Sequence, residues 1–475
     1  MQNPSVYAIF AAMPLVDTHS HIDVDRFDKD RDEVLHRAWD AGLEWLVIVG
    51  SGEGLPGARR ALAMARDVER AFATIGVHPH EAKDWPLAAN PEYRTLASDP
   101  KVLAVGEIGL DYHYMHSPPE VQRDRFREFL RLGGELGKPV VVHSREAKDD
   151  TVAILRETRN DYPGGVMHCF SGDYEMARAC LDLGLYLSIS GVVTFRNAGD
   201  LREVVEQVPI ESMVIETDCP YLTPAPHRGK RNEPAFVALV AKKIAELKHL
   251  AVEDVERITT LNARRLFGME EELEPRVTYR IRNSLYVNIT NRCTLACTFC
   301  PKFVDFMVKG YFLKIGAKGP SPAVVLAEID EASAEKRPDE VVFCGYGEPT
   351  LLFEELKEIA RGLKERGHRV RLNTDGLANL VHGRDVTAEL AGLVDSVSVS
   401  LNAQNAEIYA KYCPSRYKQK AWPAVKDFIR AVRAHVPDVQ ATVVGLPDVD
   451  VEACRRIAEE ELGARFRLRP LDEVG

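Results

Sequence analysis

Three cysteines stand close together in the second half of this 475-residue chain, in the stretch NRCTLACTFCP. Cys293, Cys297 and Cys300 follow a CxxxCxxC spacing. Apolar residues alternate with polar ones from 285 to 289, which predicts a strand that ends where the cysteine loop begins. Three thiolates on one short loop can converge on a single metal centre.

Two kinds of centre fit three clustered cysteines. Tetrahedral zinc needs four ligands, usually two CxxC pairs, and no second pair follows in the sequence, where Cys344, Cys413 and Cys454 are widely spaced. A four-iron cluster held by three cysteines keeps one iron open for a small molecule. We favour the cluster; structural zinc and three unconnected buried thiols stay open as alternatives.

The first half carries imidazole and carboxylate groups at regular places. Eight apolar runs, near residues 15, 45, 73, 103, 139, 165, 185 and 213, predict strands that alternate with amphipathic helices. Six ligand-type residues lie at or near the carboxyl ends of predicted strands 1, 4, 5, 6 and 8: His19, His21, Glu107, His143, His168 and Asp218. One such histidine alone is more often a core or loop residue. Together they predict a site for two divalent ions, with Glu107 able to bridge them.

The elements that must position these residues indicate an α/β fold. Eight strands of nearly continuous Val, Ile and Leu, each followed by a helix, predict a (β/α)8 TIM barrel with its chemistry at the carboxyl ends of the strands. In the second half, the strand before the cysteines and five later ones predict a partial (β/α)6 barrel. The insertion from Lys302 to Pro322 mixes aromatic and basic residues, so either a cover for the site or a plain structural loop is expected.

Composition excludes several classes of function. The net charge of −11 divides into 32 basic and 45 acidic residues in 1–275 and 29 and 27 in 276–475, so neither half is a basic nucleic-acid-binding domain by bulk charge. No run of 18 apolar residues predicts a membrane span. Nine cysteines, three of them clustered, favour a reducing compartment, and we expect a cytoplasmic protein.

The cysteine stretch and three later motifs resemble the radical S-adenosylmethionine (SAM) superfamily. The later motifs are FCGYGEPT from Phe343, LNTDG from Leu372 and SVSLN from Ser398. The resemblance implies a 4Fe-4S cluster on the three cysteines, reductive cleavage of SAM to a 5′-deoxyadenosyl radical, and an electron donor such as flavodoxin or ferredoxin. It implies SAM contacts at Phe299, Gly345, Gly347, Glu348, Asn373, Ser400 and Asn402. Tyr346 departs from the pattern, because many members carry glycine there.

Residues 14–268 resemble the TatD family of metal-dependent hydrolases in the amidohydrolase superfamily. The matching stretches include DTHSHID, IGVHPH, GEIGLDYH, VVVHSRE, MHCFSG and ETDCPYLTPAPHRGKRNEP. The resemblance implies hydrolysis of phosphodiester bonds in DNA, although some relatives remove D-amino acids from tRNA. It assigns the six ligand-type residues as metal ligands. Mg, Mn and Zn all suit such ligands.

Individual residues of the first half are expected to take part in catalysis and in substrate binding. We expect Asp218 to accept a proton from the attacking water as well as to touch a metal, and Glu107 to act with it. His78, Arg228 and Lys230 are expected to contact substrate phosphate, against the alternative of loop residues bonded to backbone or solvent. Cys169 and Cys219 are interpreted as small buried residues.

The predicted organisation is a hydrolase domain at 14–268, a short acidic linker at 269–276 and a radical SAM domain at 277–475. We expect a bifunctional enzyme, a TatD-like deoxyribonuclease fused to a radical SAM enzyme of unknown substrate, with DNA or tRNA as the partner of the first domain and no membrane. The alternative is a D-aminoacyl-tRNA deacylase or other ester hydrolase, joined to a SAM-binding accessory module without turnover.

Overall fold

The computed structural model describes residues 15–84, 91–269, 273–303, 305–316 and 318–469. The chain divides into two compact units, Met1–Glu271 and Glu272–Gly475. Residue 14, residues 270–272 of the predicted linker and residues 470–475 of the predicted second domain lie outside the described residues. Within the described ranges, no helix has both the length and the apolar content that crossing a bilayer requires.

The first unit is the predicted barrel of parallel strands, each paired with the next in chain order. Its strands are β1 (Leu15–Ser20), β2 (Leu43–Gly50), β3 (Ala71–Ile75), β4 (Val102–Asp111), β5 (Val140–Arg145), β6 (Gly165–Met167), β7 (Leu185–Ile189) and β8 (Met213–Ile215). Its helices are α1 (Arg31–Asp40), α2 (Leu55–Asp67), α3 (Pro91–Ala97), α4 (Pro119–Leu136), α5 (Lys148–Glu157), α6 (Tyr174–Asp182), α7 (Gly199–Gln207), α8 (Val237–Lys248) and α9 (Val252–Leu266). All eight predicted strands are present.

The first and last strands of the barrel meet at a seam. Hydrogen bonds from side chains and from the backbone after β8 hold this seam together. Thr18 Oγ1 donates to the Ile215 carbonyl at 3.0 Å. The backbone N–H of Thr217 donates to Asp17 Oδ1 at 2.9 Å, and that of Asp218 donates to the His19 carbonyl at 2.9 Å. The seam therefore brings residues of β1 and residues that follow β8 into direct contact.

Two apolar layers bury the strands of the barrel on both faces. The larger layer lies between strands and helices and includes Leu46, Ile48 and Phe129. A smaller cluster includes Val16, Val47, Val141 and Val214, which alternate with the first set, and Trp45 and Phe267 pack with it. Because this cluster comes from the amino-terminal parts of the strands, the polar residues at their carboxyl ends occupy the other end of the barrel interior.

The second unit is a seven-stranded sheet in the order β17-β16-β15-β14-β13-β10-β9. Its strands, with a separate hairpin of β11 and β12, are β9 (Thr278–Ile281), β10 (Ser284–Val287), β11 (Met307–Val308), β12 (Tyr311–Phe312), β13 (Glu340–Phe343), β14 (Val370–Thr374), β15 (Ser396–Ser400), β16 (Asp438–Val444) and β17 (Arg465–Arg469). Its helices are α10 (Pro322–Glu335), α11 (Phe353–Glu365), α12 (Ala378–His382), α13 (Ala406–Tyr412), α14 (Ala421–Val432) and α15 (Val451–Arg456), the last continued by a π-helical turn, Ile457–Glu461.

Six strands of this sheet are the six predicted parallel strands, and β9 is an addition. It pairs antiparallel with β10 through a tight turn at Arg282, whose φ is +55°. The turn residues Arg-Asn lack the glycine that usually signals a hairpin with positive φ, so the sequence pattern did not predict it.

The sheet of the second unit has two distinct faces. Val287, Phe343 and Leu372 pack on the helix side in the main core. On the other face, Tyr286 and Val342 form a smaller cluster with residues of the β11–β12 hairpin. The insertion that carries the hairpin is therefore packed against the inner face of the sheet.

Candidate metal and cluster sites

The six residues predicted as metal ligands converge at the carboxyl ends of the barrel strands. His19 lies near the end of β1 and His21 directly follows it. Glu107 lies in β4, His143 lies in β5, His168 directly follows β6, and Asp218 is the third residue after β8. Together with His78, Cys169 and Glu216 they form small groups in which every ligand atom lies within 4.8 Å of the others in its group. The arrangement suits a pair of divalent ions.

Glu107 occupies the centre of this cluster. Its Oε1 lies 2.8 Å from His143 Nδ1 and 3.5 Å from His168 Nε2, and its Oε2 lies 3.6 Å from His19 Nε2. The two oxygens of one carboxylate thus face two different sets of histidines. Such a carboxylate can bind one ion through each oxygen.

His19 supplies a direct test of whether the donor set fits metal ions. Its side chain is 1% exposed, yet neither ring nitrogen has a hydrogen-bond partner among the described residues. The ring stacks on His168 at 3.5 Å between centroids, and its Nε2 lies 3.8 Å from Asp218 Oδ1. Buried imidazole nitrogens without partners are costly unless they bind something, and the neutral imidazole is the form that binds a metal. The donor set therefore fits divalent ions.

Asp218 lies on the His19 and His21 side of the cluster. Its Oδ1 is 3.3 Å from His21 Nε2, and its side chain is one-seventh exposed. The residue has a φ of +57°, a conformation that Asp adopts more readily than most residues. Its carboxylate is thus both near the expected ligands and accessible to solvent.

Two acids that the sequence analysis did not single out support the histidines. Glu216 Oε1 lies 2.9 Å from His168 Nδ1, and Asp111 Oδ2 lies 3.3 Å from His143 Nε2 and 2.9 Å from His80 Nε2. Carboxylates that receive the second ring N–H of a ligating histidine fix its orientation. Asp111 lies in the motif GEIGLDYH and Glu216 in ETDCP, at or next to strand ends. The criterion that selected the six ligand-type residues, a polar side chain at the carboxyl end of a strand, could have identified both acids.

The sequence analysis also did not identify Asp17, whose carboxylate joins β1 to the residues after β8. The buried carboxylate accepts hydrogen bonds from Thr217 N and Thr217 Oγ1 at 2.9 and 2.5 Å. Burial raises the pKa of Asp17 to about 8. Asp17 thus joins β1, two positions before His19, to the residues that follow β8.

Burial and charge set the protonation states of the cluster. Burial lowers the pKa of His19 well below its usual value. Burial alone would raise the pKa of Glu107. The charges of His168 and His78 and the hydrogen bond from His143 hold that pKa well below its usual value. Burial alone would lower the pKa of His168, but the charges of Glu216 and Glu107 raise it to about 10. A carboxylate that stays ionised among buried imidazoles is suited to a cation.

Of the three predicted substrate contacts, His78 lies in the metal-ligand cluster, and Arg228 and Lys230 lie on the loop after β8. His78 Nε2 lies 3.6 Å from Glu107 Oε1, so it belongs to the central cluster. Arg228 lies with its guanidinium 3.7 Å from the centroid of the Phe195 ring, and its Nη1 donates to the Thr223 carbonyl. Lys230 is exposed on the same loop. His78 is thus brought to the site, whereas the loop itself holds Arg228.

In the second unit, the cysteine loop is paired with a later segment of the chain. Leu295 and Ser415 form an antiparallel bridge, and the N–H groups of Ala296 and Thr298 donate to the carbonyls of Pro414 and Tyr412, both at 2.9 Å. The backbone N–H of Cys300 donates to the Cys297 carbonyl at 3.1 Å. The loop that carries the cysteines is therefore held by bonds to residues 412–415.

The three cysteines are only partly buried, and they lack disulfide bonds. Burial raises the pKa of the Cys293 and Cys300 thiols, and a hydrogen bond with Cys413, followed by burial, raises that of Cys297. A bound iron atom overrides such shifts, because a coordinating thiol is deprotonated by the metal. Three accessible thiols on one fixed loop fit a cluster with one open iron.

The two motif glycines are required by close backbone packing. A Cβ atom on Gly345 would lie 2.2 Å from Asn288 Oδ1, and one on Gly347 would lie 1.9 Å from the Thr290 carbonyl oxygen. Both contacts are far shorter than real Cβ contacts. The glycine-rich loop after β13 therefore lies directly against the segment between β10 and the cysteines.

Glu348 is 2% exposed and is almost fully hydrogen-bonded within the protein. Its carboxylate accepts bonds from Thr350 N, Thr350 Oγ1, Thr374 Oγ1 and Asp375 N, at 2.6–3.0 Å. It thus joins the glycine-rich loop to the end of β14. The predicted contact of Glu348 with SAM stays a prediction.

Three of the remaining predicted SAM contacts lie at or just after strand ends. Asn373 Oδ1 is buried without a hydrogen-bond partner among the described residues, which is the state expected for a group that binds a ligand. Ser400 ends β15, and Asn402 Nδ2 lies 3.5 Å from Cys413 Sγ. Phe299 packs against the main core beside the cysteines.

Comparison with known proteins matches each unit to a family. Residues 16–268 match the model of the TatD related DNases, and residues 287–460 match that of the radical SAM superfamily. The uncharacterized metal-dependent hydrolase YabD of Bacillus subtilis is 44% identical over 253 residues, which is 53% of this chain and 98% of the relative. The 3′-5′ ssDNA/RNA exonuclease TatD of Klebsiella pneumoniae is 37% identical over 250 residues, 52% of this chain and 94% of the relative.

A solved structure agrees with the fold of the first unit. The TatD homolog YjjV of Escherichia coli has a TM-score of 0.50 and 28% identity, covering 54% of this chain and 99% of that one. The TatD model alone matches more than half of the chain. The chain therefore belongs to the TatD related DNase family, as a metal-dependent hydrolase that also carries a radical SAM domain.

Proposed function

We propose that the first unit hydrolyses phosphodiester bonds of DNA with two divalent ions. The observation that carries this proposal is the position of Glu107, whose oxygens face His143 and His168 on one side and His19 on the other. Metal ligation by the six residues follows as part of the proposal, with Mg, Mn or Zn as the ions. Bound there, two ions supply positive charge to an attacked phosphate and lower the pKa of a bound water.

The residues of the chain have separate tasks in this proposal. Glu107, kept ionised by the surrounding imidazoles, would be a ligand of the divalent ions. Asp218 is the partly exposed carboxylate, and it takes the proton of the attacking water. Glu216 and Asp111 keep His168 and His143 oriented.

Substrate phosphate binding is proposed for three positively charged or polar side chains. His78 already lies within the central cluster, so it contacts a phosphate oxygen beside the ions. Arg228 and Lys230 lie on the loop after β8, where their charges attract the phosphate backbone outside the ion pair. This division predicts that His78 affects the cleavage rate more than Arg228 does.

A substrate panel tests the nuclease proposal against the other ester chemistries. The full chain, loaded with Mg, Mn or Zn, is incubated with single-stranded DNA, duplex DNA, RNA and D-aminoacyl-tRNA. Cleavage of DNA that disappears in Asp218→Asn supports the proposal. Deacylation of D-aminoacyl-tRNA with intact DNA refutes it and assigns the site to aminoacyl ester hydrolysis.

For the second unit we propose reductive cleavage of SAM at a 4Fe-4S cluster held by Cys293, Cys297 and Cys300. The supporting observations are the fixed cysteine loop and the unpartnered Asn373 Oδ1 near the glycine-rich loop. When bound, the cluster supplies the electron for cleavage, and flavodoxin or ferredoxin is the proposed donor. The motif residues Phe299, Gly345, Gly347, Glu348, Asn373, Ser400 and Asn402 are proposed to surround SAM.

The test of this second activity is anaerobic. The reconstituted full chain receives SAM and a strong reductant, and 5′-deoxyadenosine is quantified, with Cys293→Ala as the blank. Product that depends on the cysteine supports turnover. A fully loaded protein that makes no product refutes turnover and favours an accessory SAM-binding module.

A further inference from the structure

The inner face of the sheet in the second unit is polar along its last four strands. Successive residues of a strand point to opposite sides, and Leu372, Ala441 and Phe466 pack in or against the main core on the helix side. The inner face therefore carries the residues that alternate with them. These include Arg371 and Asn373 of β14, Ser398 of β15, Thr442 of β16, and Arg467 and Arg469 of β17. Such a face suits a polar ligand better than further apolar packing.

The arginines of this face lie close to one another. Arg467 is in the same register row as Ser400, two strands away, or about 10 Å at the usual spacing between strands. The charges of Arg469, Arg371 and Arg282 all act on Arg467, although Arg282 lies in the β9–β10 turn at the opposite edge of the sheet. The sheet therefore curves around an interior that these arginines share, at the level of a predicted SAM contact.

This concentration of positive charge has a free-energy cost. Arg467 is half-buried; burial lowers its pKa, and the charges of Arg469, Arg371 and Arg282 lower it further. Arg371 Nη2 lies 3.2 Å from Glu340 Oε1, but Arg371 Nε is buried without a hydrogen-bond partner among the described residues. A bound anion relieves both costs, because it offsets the like charges and accepts a bond from the buried donor.

A cavity on the same face has room for a small ligand. Its volume is about 300 Å³, and its lining includes Arg371, Ser398, Gln440 and Arg465. This volume is at the lower end of the range for small-molecule sites in proteins. Arg371 connects the cavity to the other arginines, since it lines the cavity and also acts on Arg467.

We propose that Arg371, Arg467 and Arg469 bind the phosphate group of a small phosphorylated molecule, which is the substrate of the second unit. The inference rests on the proposed cleavage of SAM and names the substrate class for that reaction. A phosphate group has three terminal oxygens and about two negative charges, so several guanidinium groups can donate to it at once. A carboxylate offers fewer oxygens and a single charge. The planar guanidinium fork also matches the geometry of phosphate oxygens.

Calorimetric titration with inorganic phosphate as the probe tests this inference. The reconstituted full chain is kept anaerobic, without divalent ions or reductant and with saturating SAM, so that neither the metal-ligand cluster nor the open iron binds the probe. The wild type is expected to bind phosphate saturably. In Arg467→Gln and Arg371→Gln the affinity falls about tenfold or more, because hydrogen bonds between charged groups are lost. The control is Arg366→Gln, which removes a guanidinium bonded to Asp330 at the end of α11 and keeps the wild-type affinity.

Arg467→Lys keeps the charge without the planar fork, so an intermediate affinity is expected, and this variant decides the test if Arg467→Gln does not fold. Wild-type protein that binds no phosphate overturns the inference, as does equal affinity in the wild type and the Arg467 and Arg371 variants. Acetate bound as tightly as phosphate overturns the phosphate class. Variants that lose affinity for SAM and not for phosphate assign the arginines to SAM instead. Arginine-dependent phosphate binding without any 5′-deoxyadenosine from the reduced wild type refutes SAM cleavage and leaves the anion site in place.

Discussion

Cys297 lies opposite Cys413 across two antiparallel segments of the second unit, and the Cys413 thiol raises the pKa of Cys297. The bridge between Leu295 and Ser415 and the flanking backbone bonds set this register, and Asn402 Nδ2 lies 3.5 Å from the Cys413 sulfur. The Cys413 side chain is fully buried. If Cys297 binds iron as a thiolate, the S–H of Cys413 is the group placed to donate a hydrogen bond to it.

Replacing Cys413 by alanine is expected to lower the reduction potential of the reconstituted cluster. A hydrogen bond to a ligating sulfur stabilises the more negative, reduced state, so its loss makes reduction harder. The measurement is a potentiometric titration followed by electron paramagnetic resonance. Cys454→Ala is the matched control, because Cys454 is also fully buried but lies on α15. An unchanged potential in Cys413→Ala would show that the bond has no electronic effect.

Replacing Glu216 by glutamine is expected to weaken binding of metal ions about 10- to 100-fold, a typical effect of removing a carboxylate that orients a ligating histidine. Glu216 also accepts bonds from Cys169 N and Ser188 Oγ at 2.8 and 2.5 Å, which keep it rigid. Affinity is measured by calorimetric titration of the metal-free protein with Mn. The control is Glu175→Gln, which changes an exposed carboxylate on α6. Equal Mn affinity in the Glu216 variant and the wild type would refute a role for Glu216 at the metal site.

Replacing Gly347 by alanine is expected to destabilise the second unit by about 1–3 kcal/mol, the usual cost of overpacking. The added Cβ would lie 1.9 Å from the Thr290 carbonyl oxygen and 2.8 Å from that of Arg292, and both are backbone atoms. Thermal unfolding of the full chain measures the effect. Gly445→Ala is the control, because its added Cβ makes only ordinary contacts at 3.8 Å. If both variants unfold at the same temperature, the glycine-rich loop adapts more easily than the contacts indicate.

Replacing Tyr346 by phenylalanine is expected to loosen the β11–β12 hairpin. The Tyr346 hydroxyl donates to the Met307 carbonyl, and its ring packs edge-on against Phe306. Loss of one hydrogen bond is worth about 1 kcal/mol, so amide hydrogen exchange in residues 305–316 becomes about fivefold faster. Tyr412→Phe, which removes a hydroxyl bonded to Asp448, leaves exchange in the hairpin unchanged. Identical exchange in Tyr346→Phe and the wild type would contradict this role.

Periodicity and strand-end position predicted the main features of both units. The eight barrel strands and six parallel strands of the second unit were predicted because buried parallel strands are continuous runs of Val, Ile and Leu. The convergence of His19, Glu107 and His143 followed from their places at strand ends. The ligand roles of these residues stay predictions.

Other features depend on contacts between residues distant in the sequence. Cys413 is 116 positions from Cys297, and only the fold brings them together. Glu348 has its hydrogen-bond partners in Thr374 and Asp375, 26 and 27 residues later. Strand β9 was missed because its pairing depends on a turn without glycine. Local patterns carry no information on such partners.

Because expected metal ligands lie on both sides of the β1–β8 seam, metal binding would also affect the stability of the barrel. His19 and Asp218 lie on the two sides of the seam, 199 positions apart in the chain. An ion bound by both residues would cross-link the ends of the barrel much as a disulfide does, by reducing the freedom of the unfolded chain. Because an ion that binds only the folded state shifts the equilibrium toward it, metal loading and closure of the barrel are thermodynamically coupled.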